Sequence, residues 1–441
     1  MNNLEGIAHD IQQLALELGA EEVAVSVSQS VSTELTQREG ILEKSQQSNS
    51  LGVGLELLVD ERFSSHSASD VRLDSLRPFL IRAIEATRFL EPDTNRRLPD
   101  INDMGIADAD LDANDIRWAS YTPEDRQSLL NELEAASQSA ASASTAEVRS
   151  LTHHVWDAKV DSHVCCSNGF SAGWSQTSFG MGGEVTLVDR DGRLPEAYDY
   201  RSSRHLEDLP KVDVLAEALL FQGSNRLGSR GIPSAKMPIL LSNHVASKLI
   251  RTLITPMGGT AIYEQRSCLL GKVGTQIANS NLSIMDEPHI PRGLNSRPYD
   301  GDGFATKPRA IVQDGILQDY LLGLYNARRL ETTPTTASTS NIVIAPSTLS
   351  PQELIADLPQ VIVVDGFLGG NANAITGDFS YGITGRYFER GELVQSVSEM
   401  NISGNIIELM MQFDAAGNDV WTYSSYRLPS LLFNGVQCSG T

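Results

Sequence analysis

Two dipeptides in the C-terminal part of this 441-residue chain constrain its fold more than any other feature. Asp314-Gly315 separates Ala310-Ile-Val-Gln313 from Ile316-Leu-Gln-Asp-Tyr-Leu-Leu322. Arg390-Gly391 separates Gly385-Arg-Tyr-Phe-Glu389 from Glu392-Leu-Val-Gln-Ser-Val397. A two-residue turn ending in Gly between extended runs is the strongest short-range signal for a β-hairpin. Hairpins at this density, with few helical periods between them, predict a β-rich domain over residues 232–441, closed as a barrel or stacked as a sandwich.

The preceding part of the chain reads differently. Residues 3–19 carry Leu4, Ile7, Ile11, Leu14 and Leu18 at helical spacing, ended by Gly19. From Glu22 to Val31, valines alternate with serines, the pattern of a strand with one buried face. Residues 51–60 predict another strand and 73–89 a covering helix, so 1–90 is expected to be a small α/β domain. Residues 91–118 hold Pro92, Pro99 and a string of acidic residues, and read as a linker. Thr122-Pro123-Glu124-Asp125 then starts a helix, with Thr122 as cap and Asp125 completing a capping box. The Ala/Ser stretch 135–145 reads as that helix fading into a loop. Extended pieces over 147–205, with an Asp191-Gly192 turn, and a helix over 208–221 predict a central α+β domain across 119–222. The fold class is α+β: an N-terminal α/β region with helices packed on small sheets, then the β-rich C-terminal domain.

Charge narrows the partners. The chain has 34 Lys and Arg against 56 Asp and Glu, a net charge of −22. A field of that sign repels phosphate backbones and anionic lipid, so nucleic acid and membrane are not expected as ligands. No run of about 18 apolar residues occurs, and Met1-Asn-Asn-Leu-Glu5 has no basic segment leading into an apolar one. Cys165, Cys166, Cys268 and Cys438 match no zinc or redox spacing. A cytoplasmic location is the expectation.

Chemistry-bearing patterns are few. The eight histidines form no HExxH, and their one cluster is His153-His154 followed by His163. On an extended segment His153 and His163 share a face, too far apart for one metal without a turn. No GxSxG is present, and Cys268 in Arg-Ser-Cys-Leu-Leu reads as packed rather than reactive. Asp365 to Gly385 holds six glycines with Asn371, Asn373, Thr376, Asp378 and Ser380. These five polar residues are the candidates for contacting a peptide substrate. The same stretch also reads as a succession of tight turns in which Gly supplies positive φ.

The segment Gly377-Asp-Phe-Ser-Tyr-Gly-Ile-Thr-Gly385, the hairpin with Glu389-Arg-Gly-Glu392, and Val397-Ser-Glu-Met-Asn-Ile-Ser-Gly-Asn405 together resemble the C-terminal signature of the TldD/PmbA family. Asp286 to Gly303 and Asp314 to Arg329 resemble its PmbA (TldE) branch. The resemblance covers most of 237–427. It implies one partner of a cytosolic zinc-dependent peptidase associated with maturing small peptides and with degrading an antitoxin. Family names also refer to modulation of DNA gyrase.

In the TldD partner a helix with HExxxH and a Cys near the C-terminus supply the metal ligands. Carried onto this sequence, the two His positions are Asn243 and Lys248, the Glu position is His244, and the Cys position is Leu428. At the three ligand positions, Asn243, Lys248 and Leu428 would not ligate zinc, and Cys438 lies ten residues too far on. The resemblance therefore implies no cofactor and no catalytic residue in this chain, with zinc expected in a TldD-like partner; a homodimer is the other expected assembly. Thr332-Thr-Pro-Thr-Thr-Ala-Ser-Thr-Ser340, where the family is usually Gly/His-rich, reads as an exposed polar loop.

Overall fold

The structure, a computed structural model, describes residues 3–440. It is an α+β protein. The first half contains α1 (Leu4–Glu17), β1 (Glu22–Arg38), β2 (Ile41–Val59), β3 (Arg62–Ala68), α2 (Leu73–Thr87), α3 (Pro123–Ala143), β4 (Glu147–Cys166), β5 (Ser171–Val188), β6 (Glu196–Ser203) and α4 (Val212–Ser224). All six strands form one antiparallel sheet in the order β3-β2-β1-β4-β5-β6. The segments 1–90 and 119–222 thus share a sheet. β1 and β4 join them in unbroken register, from Ala24 opposite Cys166 to Arg38 opposite Thr152.

Alternation along β1 explains where the helices sit. Val23, Val25 and Val27 pack with α1 and α2, on Ile11, Leu80 and Ile84. Leu35, an even number of residues further on, lies on the same face and packs with Leu130 and Leu133 of α3. The two helix pairs therefore cover the two ends of one face. The cap of α3 forms as expected: the Asp125 amide donates to Thr122 Oγ1 at 3.1 Å and the Thr122 amide to Asp125 Oδ2 at 2.8 Å. The alanine-rich continuation stays helical to Ala143, consistent with alanine's high helix propensity.

β2 is longer than the expected 51–60. Its first ten residues, Ile41 to Ser50, are almost all exposed and show no apolar alternation. They are extended because all but Glu43, the extra residue of a bulge, pair with β1, a non-local cause that overrides local composition.

The second half contains β7 (Ala235–Leu241), α5 (Ser247–Ile254), α6 (Gly259–Tyr263), β8 (Ile284–Asp286), β9 (Arg309–Gln313), β10 (Ile316–Leu317), α7 (Leu324–Arg329), β11 (Ile342–Val343) and α8 (Pro351–Ile355). It ends with β12 (Val361–Ala372), β13 (Asp378–Glu389), β14 (Glu392–Asn405), α9 (Ile406–Met411), β15 (Phe413–Ala416), β16 (Tyr426–Arg427) and β17 (Leu431–Ser439). The main sheet runs β14-β13-β12-β7-β17-β15, and β14 also pairs with β17. That extra pairing closes five strands into a barrel around the largest core, which includes Ile239, Leu249, Ile383, Ile402, Leu428 and Phe433. The closing pairing involves only Asn401–Ser403 of β14, so the first part of that strand, Glu392–Met400, has no strand partner on its second side among the described residues. A small sheet, β10-β9-β8-β11-β16, lies beside it.

Both hairpin turns form. Asp314 and Gly315 have φ of 48° and 80°, and Arg390 and Gly391 have 49° and 79°, as a turn that matches strand twist requires. The glycine-rich stretch is less a chain of turns than two barrel strands. A Cβ on Gly385 would lie 2.0 Å from the Val363 carbonyl oxygen, so this glycine allows close approach of β13 to β12.

Candidate functional site

Of the positions that the resemblance assigns to metal ligands, Asn243 and Lys248 lie where β7 leads into α5, and Leu428 lies between β16 and β17. Chain turns at 243–246 precede the regular helix. The Asn243 amide donates to the Asp419 carbonyl at 2.6 Å. The Lys248 ammonium lies 4.6 Å from the centre of the Tyr381 ring, a cation–π contact. Leu428 is fully buried in the barrel core, and its carbonyl accepts the Trp421 amide at 2.9 Å. Asn243 and Leu428 thus converge on the loop 419–430, which Asp419 ties together by accepting from both Ser430 groups. An amide already donating, an ammonium and an isobutyl group do not fit a divalent cation, which needs converging lone pairs.

His244, at the family's Glu position, is half-buried. Its Nε2 lies 3.1 Å from the Asp365 carbonyl oxygen and its ring packs 5.7 Å from that of Trp421. Burial holds its pKa below the usual imidazole value. With Nε2 donating to a carbonyl, the neutral ring is fixed in one tautomer.

Around it is a polar network that sequence reasoning missed. Asp365 takes two hydrogen bonds from Arg386, at 2.7 and 3.0 Å, and one from Ser242 at 2.6 Å. Arg386 also stacks near Phe221 of α4. From β6, Arg201 places its guanidinium 4.0 Å from the Trp421 ring and 5.2 Å from that of Tyr423, while contacting Asp199. Burial pushes the Asp199 carboxyl up to about 6, against the pull of Arg201. Asp365 sits at a bulge between β12 and β13, beside the Val363–Arg386 and Val364–Gly385 pairs. Charged residues inside strands were the available signal. The polar network around His244 is therefore fixed by groups from both halves of the chain.

The five polar residues of the glycine-rich stretch do come together. Asn371, Asn373, Thr376, Asp378 and Ser380 line one open depression of about 280 Å³. Several are engaged locally. Asn373 Oδ1 accepts the Ile375 amide, Thr376 Oγ1 accepts the Asp378 amide, and Asp378 accepts from Asn405. Hydrogen bonds from Thr376 and Asn405 hold the Asp378 carboxyl below its ordinary value. Asn371 and Ser380 face each other across β12 and β13.

The histidine cluster is dispersed. His153 is fully buried with neither ring nitrogen bonded, His154 Nδ1 meets Thr36 Oγ1 at 3.1 Å, and His163 Nε2 meets Ser171 Oγ at 2.8 Å. Among the described residues no group of three or more His, Cys, Asp or Glu is placed to hold a metal ion. Cys268 is half-buried and burial pushes its thiol up, away from the reactive thiolate. No helix among the described residues is long and apolar enough to cross a membrane.

Comparison with known proteins identifies the family. Sequence models for PmbA/TldA metallopeptidases match in three parts: domain 1 over residues 23–87, the central domain over 116–227 and the C-terminal domain over 234–440. The chain is 28% identical to metalloprotease PmbA of Escherichia coli O157:H7, over 98% of this chain and 96% of that protein. A crystal structure from Bacteroides thetaiotaomicron, described as a candidate modulator of DNA gyrase, is 32% identical with a TM-score of 0.95 over the whole of both chains. TldE from Thermococcus kodakarensis shares the fold, with a TM-score of 0.86 at 17% identity over 98% of this chain and 100% of that one. The chain is a member of the PmbA/TldD metallopeptidase family.

Proposed function

We propose that this chain is a PmbA/TldE-like, non-metal-binding subunit of a zinc-dependent peptidase that matures or degrades small peptides in the cytoplasm. Zinc and the reacting water belong to a TldD-like partner, and this chain shapes the chamber and holds the peptide; a homodimer is the alternative assembly. The observation that carries the reading is Leu428, sealed in the barrel core at the position of the family's cysteine ligand. Asn243 and Lys248, both committed to other contacts, point the same way. The depression lined by Asn371, Asn373, Thr376, Asp378 and Ser380 is the surface offered to peptide. Side-chain and backbone contacts in that depression support peptide capture.

The test is metal analysis of the purified chain, followed by mixing with a TldD-like protein from the same source. The expected result is no stoichiometric zinc, a stable complex, and peptidase activity only in the mixture. Zinc near one equivalent, with chelator-sensitive activity in the chain alone, would instead identify a stand-alone peptidase. Peptide binding without turnover, indifferent to a TldD-like protein, would identify a binding module.

A further inference from the structure

A cavity of about 390 Å³ lies between the start of β1 and the loop Tyr299–Gly303. It shares no lining residue with the network around Asp365 or with the depression at 371–380. Its origin is the second face of the first sheet. Val23 and Val25 point into the core under α1 and α2, so Ala24 points the other way. There it packs near Cys166, Phe170, Leu98, Met104 and Tyr299. The packing leaves a gap bounded also by Phe63, Leu324 and Tyr325. Its size falls in the range of small-molecule pockets, and its walls are largely apolar.

The polar groups on those walls are unequal in number and in commitment. Four carboxylates, Glu22, Glu56, Asp300 and Asp302, face two guanidinium groups, Arg96 and Arg97. Glu22 is taken by Arg97 at 3.0 Å and the Leu98 amide at 2.7 Å. Asp300 accepts the amides of Asp302 and Phe304, both at 3.0 Å, and Asp302 accepts that of Leu324 at 2.8 Å. Arg96 is held in the wall, 3.5 Å from the centre of the Tyr325 ring and 4.7 Å from that of Phe63. Glu56 differs from the other three. On β2 it lies between Leu55 and Leu57, both buried under the helices, so its side chain is turned to the cavity. Burial raises its carboxyl above the ordinary value, Arg96 pulls it down and Asp302 adds to the rise; no hydrogen bond contributes. Burial likewise raises Asp302. Glu56 is exposed to the cavity and has no donor, and with Arg328, which lies behind the wall on the Asn95, Arg97 and Leu98 carbonyls, four carboxylates stand against three guanidinium groups.

We propose that this cavity binds an organic cation, a primary amine on an apolar body, with the ammonium on Glu56 and the body against Phe63, Leu98, Met104 and Phe170. An anion would meet an excess of carboxylates. A neutral ligand of the same shape would leave Glu56 unpaired. An ammonium supplies the charge-assisted donor that the carboxylate lacks. The site is independent of the metal question, since none of its residues lies at a family ligand position.

The experiment is isothermal titration of the full chain with three probes of similar shape: 2-phenylethylamine, 2-phenylethanol and 3-phenylpropanoate. The expected result is binding of the amine alone, weakened at least about tenfold in Glu56→Gln, the loss of one charge-assisted hydrogen bond. On the unsubstituted chain, amine affinity falls as acid protonates Glu56, and this second readout holds should the variant misfold. Equal binding of the alcohol, preference for the propanoate, amine binding indifferent to both Glu56→Gln and pH, or no binding of the amine at millimolar concentration would each overturn the proposal.

Discussion

The guanidinium of Arg201, on the last strand of the first sheet, packs face-on against the indole of Trp421 in the barrel domain, 4.0 Å from its ring centre. The contact joins the two halves of the chain, and the same indole packs 5.7 Å from the His244 ring. Arg201 also pairs with Asp199, and both are buried. Removing one partner of a buried pair leaves the other uncompensated. Arg201→Met is expected to destabilise the fold by about 3 kcal/mol, read as a lower midpoint in urea unfolding. Asp199→Asn with Arg201→Met should recover part of that loss. A single variant as stable as the parent would show that the pair contributes nothing.

His153 sets an acid limit on stability. Burial pushes its pKa down to about 4, and neither ring nitrogen has a partner. Its folded pKa lies below the unfolded value of about 6.5, so the unfolded chain binds the proton more readily. Stability from this residue is complete above pH 6.5 and is lost as pH falls towards 4. At pH 5 the loss is about 2 kcal/mol. His153→Leu should therefore gain on the parent as the buffer moves from pH 7.5 to pH 5, and melting curves of both proteins measure the difference. Asp199, raised to about 6, titrates with the opposite sign but is common to both. Parallel curves would refute the assignment.

Gly385 permits β13 to approach β12. With a Cβ 2.0 Å from the Val363 carbonyl oxygen, Gly385→Ala must shift backbone rather than a flexible side chain. The expected cost is about 3 kcal/mol, at the upper end for overpacking. Thermal unfolding measures it, with Gly169→Ala as a comparison in which the added Cβ meets no neighbour but the φ of 102° is strained.

Restoring ligands tests the positional correspondence. Asn243→His and Lys248→His with Leu428→Cys places three donors at the positions that the resemblance assigns to the ligands, of which Asn243 and Leu428 both contact the 419–421 segment. Three such donors make a zinc site with one open position. The triple variant is expected to retain about one zinc per chain after dialysis while the parent retains none, by elemental analysis. A folded triple variant without zinc would show that these positions do not converge as the family's do.

How much was legible follows the locality of the cause. The turns at Asp314-Gly315 and Arg390-Gly391 and the cap at Thr122 depend on two to four adjacent residues, and the sequence shows them directly. The first half of β2 was not legible, because Ile41 to Ser50 are extended only through pairing with β1. Nor was the continuity of the first sheet across the acidic segment 91–118, since β4 finds β1 only after more than a hundred intervening residues. The five polar residues from Asn371 to Ser380 were found as a group because they are close in sequence. The Asp365–Arg386–Ser242 network and its neighbour Arg201 escaped notice because they join β7, β12, β13 and β6, and no spacing rule connects them.

The register between β1 and β4, from Ala24–Cys166 to Arg38–Thr152, has a consequence for how relatives can recombine. Exchange of the first segment alone between homologues would graft a foreign strand into the middle of a sheet whose other half it never evolved against. A nick within 91–118 would leave two pieces still zipped together and migrating as one particle. Inheritance of the first two segments should accordingly be joint, while the barrel after residue 232 shares no strand with them and meets them through contacts such as Arg201 on Trp421.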